Sequence, residues 1–197
     1  MQKFSQFITE TISYDQIIKA IKLNNLNGPF LWRGVTFKLD DDFGLKKVRK
    51  DRESLSNYSY HYEFNELFFK KFKSKLRSEA VFCVKNQHLA ADYGTPVIVI
   101  PKDKAKFYHS PFVKDLITFD KIKLNLQNNE ILKDKKTIEE KLQAIVDTYI
   151  EYSDISKIKD NNEIMILCNE YYYINVENMP YMHTYEDLVD YLEENNV

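Results

Sequence analysis

The chain predicts an α+β fold with a mixed, mainly antiparallel sheet, and three observations carry that expectation. Helical and strand-like runs interleave along its length, the strand runs are short, and the last two are separated by only a few residues. A parallel doubly wound sheet needs a helical crossover between successive strands, so these short connections speak against it. At 197 residues the chain fits a single domain, 1–197, long enough to bury a real core.

The first helix is expected at "SYDQIIKAI". Ser13 stands three residues before Gln16 in the spacing of a capping box, and Ile17, Ile18 and Ile21 fall on one helical face. "NNLNGP" marks a turn and leads into "FLWRGVTF", an aromatic and β-branched run that reads as a buried strand with Arg33 at its middle. Residues 38–57 are charged and irregular and read as a long loop. A helix follows in which Phe64, Leu67, Phe68, Phe72 and Leu76 keep helical spacing, with lysines on the other faces.

Next come "AVFCV" as a strand, "HLAADYG" as a short helix closed by Gly94, then "TPVIVIP" and "KFYHS" as strands. "PFVKDLITFD" fits either helix or strand, and "LNLQNNEILKDKK" is a polar excursion. Thr137 and Glu140 form a second capping box, ahead of a stripe of Ile138, Leu142, Ile145, Tyr149 and Ile150. "EIMILC" and "YYYINV", separated by Asn169 and Glu170, suit a tight antiparallel hairpin. The final helix opens at Thr184 and carries Tyr185, Leu188, Val189 and Leu192.

A net charge of -2 from nearly balanced acids and bases provides no global field toward nucleic acid or an anionic membrane. No apolar run reaches the length of a membrane span, and "MQKFSQFITETISYDQ" lacks the order of a signal peptide, so a cytoplasmic protein is expected. Cys83 and Cys168 each lie in an apolar strand-like run, where reduced thiols sit. His61, His88, His109 and His183 have no zinc-site spacing, and Asp40, Asp41 and Asp42 lack the pattern of a calcium loop, so no metal is expected.

Walker, GxGxxG, GxSxG and CxxC motifs are absent. Three local features remain. Arg33 in "FLWRG" is an always-charged fork inside an apolar strand and needs an anion, either a protein carboxylate or a ligand phosphate. "VFCVKNQHLAADYG" passes from strand through a polar turn into a short helix. Glu163 is the one charge at the head of "EIMILC", which by itself fits a flanking surface residue as well as a functional one.

Taken in order, "WRG", "VFCVKNQHLAADYG" and "NEIMILCNEYYYIN" resemble the ADP-ribosyltransferase fold in its arginine, serine-motif, glutamate class, over roughly Phe30 to Val176. With "RKDRESLSN" and "HSPFVKDL" between the motifs, the layout is also similar to proteins encoded by phages, for which the compartment would be the host cytoplasm. The resemblance implies a split, mainly antiparallel sheet with flanking helices, NAD as substrate, and cleavage of the nicotinamide–ribose bond with transfer of ADP-ribose to a protein or nucleic-acid acceptor. It implies Glu163 as the catalytic carboxylate and Arg33 with Gly34 at the NAD phosphate or ribose. Tyr93 would stack on the nicotinamide, Phe82 would pack beneath the site, and Asn161 would take the acceptor-selecting place two residues before the glutamate.

Two positions depart from that family pattern. "CVKN" stands where Ser-Thr-Ser is expected, leaving Asn86 to hold the ribose, and Asn161 replaces Glu or Gln, which does not support arginine as acceptor. The missing hydroxyls keep a second expectation open, a non-catalytic phage-type protein that uses the same scaffold to bind a host protein or nucleic acid. A metal-dependent nuclease using Asp115 and Asp120 ranks last, because the strand-borne acid-and-lysine pattern is absent. Arg49, Arg52 and Arg77 fit either added phosphate contacts or surface charges.

Overall fold

The computed structural model of the protein describes residues 12–39, 41–52, 60–116, 130–177 and 179–195. Asp40, Asp120, residues 124–129 of the polar excursion and the amino-terminal 1–11 lie outside them. Among the described residues the strands, in chain order, are β1 (Trp32–Val35), β2 (Phe43–Lys47), β3 (Val81–Cys83), β4 (Thr95–Pro101), β5 (Lys106–His109), β6 (Ile150–Tyr152), β7 (Ile164–Leu167) and β8 (Glu170–Ile174). The helices are α1 (Tyr14–Leu23), α2 (His61–Phe72), α3 (Leu76–Glu79), α4 (Gln87–Ala91), α5 (Ile138–Asp147) and α6 (Tyr185–Glu194). The fold is therefore mixed α+β.

The strands form two antiparallel sheets, β1-β4-β8-β2 and β3-β7-β5-β6. Among the described residues a backbone bridge joins them, where Trp32 and Val84 exchange both hydrogen bonds, 2.7 and 2.9 Å. That bridge lies between the edge strands β1 and β3 and defines a seam.

The period-2 alternation of the strands divides the core in two. Ile164, Ile166 and Phe107 face a core built on the first sheet with α1 and α6, whereas Met165 and Tyr108 face a second core under α2, α3 and α5. The second sheet is thus a partition with a hydrophobic cluster on each side. The helices sit where their caps place them: Ser13, Thr137 and Thr184 each complete a capping box, fixing the starts of α1, α5 and α6. Tyr185 of α6 reaches into the first core and donates to the Val99 carbonyl at 2.7 Å, while its hydroxyl accepts from the Leu31 amide at 3.1 Å.

Several expectations need correction. The loop expected over 38–57 contains β2, which pairs with β8 from Phe43↔Ile174 to Lys47↔Glu170. Its "FGLKK" has too little alternation to announce a strand, and the partner strand supplies the order. "EIMILC" and "YYYINV" are not a hairpin: β7 pairs with β3 and β5, and β8 with β4 and β2. Asn169 and Glu170 carry the chain from one sheet to the other, held by the Val48 amide on the Asn169 carbonyl at 2.8 Å. The α5 stripe stops at Asp147, and Ile150 opens β6 with its side chain half exposed.

Candidate functional site at the seam between the sheets

Glu163 stands immediately before β7. By the same alternation it shares a face with Met165, and Met165 is the cross-strand partner of Phe82 on β3. The carboxylate therefore projects beside the Phe82 ring rather than outward as a flanking charge, and Glu163 is only 5% exposed.

Its backbone is held from two directions. The Glu163 amide donates to the Lys114 carbonyl at 2.9 Å, and His109 Nδ1 lies 3.2 Å from the Glu163 carbonyl, with His109 Nε2 3.1 Å from Asp160 Oδ2. The Leu116 amide reaches the carboxylate itself. One carboxylate oxygen, Oε1, is buried and has no hydrogen-bond partner among the described residues. Buried carboxylate oxygens are ordinarily satisfied, so an open one is a place for a ligand donor. Burial pushes the Glu163 carboxyl up to about 7; Asp115 acts in the same direction, against Arg77, the Leu116 amide and Arg52.

Three guanidiniums converge on the same place from three segments. Arg33, on β1, sends Nη1 across the seam to the Phe82 carbonyl at 3.3 Å. Arg52, in the segment after β2, donates Nη2 to the Ala80 carbonyl at 2.9 Å and lies 4.8 Å from the Phe82 ring centroid. Arg77, in α3, is 5.8 Å from the same centroid and 8% exposed. Phe82 is thus the platform of the cluster, its face carrying two cations. Burial, then Arg33 and Arg77, lower Arg52 to about 10, while Glu163 opposes them. Neither Arg33 nor Arg52 has a carboxylate within ion-pair distance among the described residues; each donates to a backbone carbonyl instead.

The other side of the seam is shaped by glycine. A Cβ on Gly34 would run into the Ala90 carbonyl oxygen and the Tyr93 and Gly94 backbone, and Gly94, at φ +134°, sits against the Val35 carbonyl. The bare backbone of β1 lets the turn after α4 lie directly on it. Tyr93 is carried by that turn and is half exposed, and its hydroxyl is raised by burial, Asp115, Glu163 and Asp92.

Of the residues expected from the sequence, Glu163, Arg33, Phe82 and Tyr93 meet at the seam, with Gly34 seating the turn that holds Tyr93. Asn161 is exposed two residues before Glu163. Asn86 caps α4, its side-chain oxygen taken by the His88 and Leu89 amides at 2.9 and 3.2 Å. Cys83 and Cys168 are buried free thiols, each pushed up to about 12 chiefly by burial, and so are inert at neutral pH.

Sequence reasoning left Arg52 and Arg77 undecided and placed Asp115 in a different reading. Arg77 had one signal: it sits between Leu76 and Ala80, both fully buried, so a helical turn cannot place it far from the core. Arg52 had none, since "RKDRE" is indistinguishable from a solvated charge run.

No protein-family model matches the chain, and no curated protein and no solved structure is significantly similar to it. Among the described residues no helix is long and apolar enough to cross a membrane.

Proposed function

We propose that the protein is an NAD-dependent ADP-ribosyltransferase, which breaks the bond between nicotinamide and ribose and passes ADP-ribose to a macromolecular acceptor. One observation carries the reading: a buried glutamate with an oxygen left open among the described residues and strand-borne Arg33, with no carboxylate partner among them, lie across one seam, although they come from opposite ends of the domain.

The reaction passes through a cation-like transition state at the sugar, related to that of glycoside hydrolysis. Ionised Glu163 accepts a hydrogen bond from a ribose hydroxyl and places negative charge beside the developing cation. Arg33 and Arg52 take the diphosphate, whose oxygens match the guanidinium fork. Tyr93 offers an exposed aromatic face to the nicotinamide, and Asn161, exposed beside Glu163, meets the acceptor. Nicotinamide leaves neutral with the electron pair of the broken bond, and the acceptor nucleophile replaces it at the sugar carbon.

A second reading has its own observation. The hydroxyl triplet of the family pattern is replaced by "CVKN", and within it Lys85 donates to the Ile155 and Ile158 carbonyls at 2.7 Å each while Asn86 is used as a cap. A binding protein on the same scaffold fits that loss. Incubation with labelled NAD and a cell extract separates the readings. The transferase reading expects label on macromolecules together with nicotinamide release, and the binding reading expects capture of NAD or of a partner with no release at all.

A further inference from the structure

We propose that Ser78, seated by Asn65 and His61, is a positioning residue that holds the guanidiniums of Arg52 and Arg77 at the seam. The role rests on the reading of those arginines as a phosphate site.

The geometry is closed on itself. Ser78 Oγ donates to the Arg52 carbonyl at 2.9 Å, and Asn65 brackets Ser78 twice, donating from Nδ2 to Oγ at 2.8 Å and accepting the Ser78 amide on Oδ1 at 3.3 Å. His61 Nε2 lies 3.0 Å from the same hydroxyl, and His61 and Asn65, one turn apart on α2, are 3% and 4% exposed. Ser78 also follows Arg77 directly in α3. One hydroxyl therefore ties down the backbone of Arg52 and the turn that carries Arg77, while the Ala80 carbonyl fixes the Arg52 head at 2.9 Å.

A serine, a histidine and an asparagine together invite a nucleophile reading, and the contacts argue against it. The hydroxyl hydrogen is committed to a carbonyl, so His61 Nε2 bonds Ser78 only when it carries its own hydrogen and cannot act as base. Asn65 Nδ2 stands 3.2 Å from that same ring nitrogen and, being a donor as well, makes no hydrogen bond to it in that tautomer, so Asn65 does not orient the ring as a triad partner would. What the network accomplishes is orientation. Two like charges near one ring repel, and their side chains stay in place only if the backbone beneath them is rigid.

The test uses the whole protein with inorganic pyrophosphate as probe, measured calorimetrically, alongside a titration of the Glu163 carboxyl by carbon NMR. Ser78→Ala is expected to weaken pyrophosphate binding about tenfold, the loss of roughly one well-made hydrogen bond. It should also move the Glu163 titration upward, because Arg52 and Arg77 retreat. Ser78→Thr, which keeps the hydroxyl, restores both. Asn24→Ala, destabilising but remote from the seam, serves as control and changes neither. Affinity and titration in Ser78→Ala equal to those of wild type overturn the positioning role and leave the phosphate site standing. Absence of pyrophosphate binding by the wild type at millimolar concentration overturns both.

Discussion

Asn24 and Glu163 are both buried polar residues, and their surroundings differ in the way that separates structure from function. Asn24 is 1% exposed at the end of α1, and its side chain is fully used: the amide nitrogen reaches the Ala20, Pro101 and Asp103 carbonyls at 2.9 to 3.0 Å, and its oxygen accepts the Ala105 amide at 2.8 Å. It closes a corner between α1 and the β4–β5 turn. Glu163 is nearly as buried, yet among the described residues its Oε1 has no hydrogen-bond partner and Arg33 and Arg52 have no carboxylate within ion-pair distance. A satisfied buried group stabilises a fold, whereas an unsatisfied charged one costs stability and persists where a ligand completes it.

Substitutions can break or sharpen this contrast. The largest effect is expected at Asn24. Asn24→Ala removes four side-chain hydrogen bonds to backbone groups at the corner, of which the Ala20 carbonyl keeps the Asn24 amide, and should cost about 4 kcal/mol in denaturant unfolding, with little dependence on pH.

Glu163→Gln should act in the opposite sense. Its carboxyl titrates at about 7 in the folded protein against 4.5 as the ordinary value, so between these the folded state binds the extra proton. Stability is then full below about pH 4.5 and is lost as pH rises through about 7. The Gln variant is expected to be more stable than wild type by about 3 kcal/mol at pH 8 and equal to it at pH 4. A wild-type protein that gains stability over that interval relative to Glu163→Gln would place the carboxylate in a satisfied ion pair instead.

Arg52→Met comes next. It should leave unfolding nearly unchanged, because a charge with no carboxylate partner among the described residues is removed, while weakening pyrophosphate binding by about 30-fold, or about 2 kcal/mol. The smallest effect is expected at Tyr93. Tyr93→Ala should weaken NAD by about 1 kcal/mol through lost stacking and leave pyrophosphate affinity as it was. Equal losses for both ligands would remove Tyr93 from the nicotinamide end.

Much of the fold was legible because its signals are local. Capping boxes at Ser13 and Thr137, the helix start at Thr184 and the apolar runs of β4 and β7 are written in neighbouring residues. β2 and the passage of Asn169 and Glu170 between sheets were not, since both depend on partners far away in the chain. Glu163 stood out as a lone charge on an apolar strand, and Arg33 likewise. Arg52, by contrast, becomes a site residue only through the Ala80 carbonyl and the Phe82 ring, contacts that its own charge run does not announce. The seam is legible strand by strand and invisible loop by loop.

The central claim is that Glu163 and Arg33 serve one ligand across that seam, and nicotinamide release from NAD by wild type and Glu163→Gln tests it most directly. The expected result is a fall of about 10² to 10³ in the rate of release with NAD affinity retained, the loss of one preorganised contact to the transition state. Release from the Gln variant at the wild-type rate, or none from wild type, would contradict it.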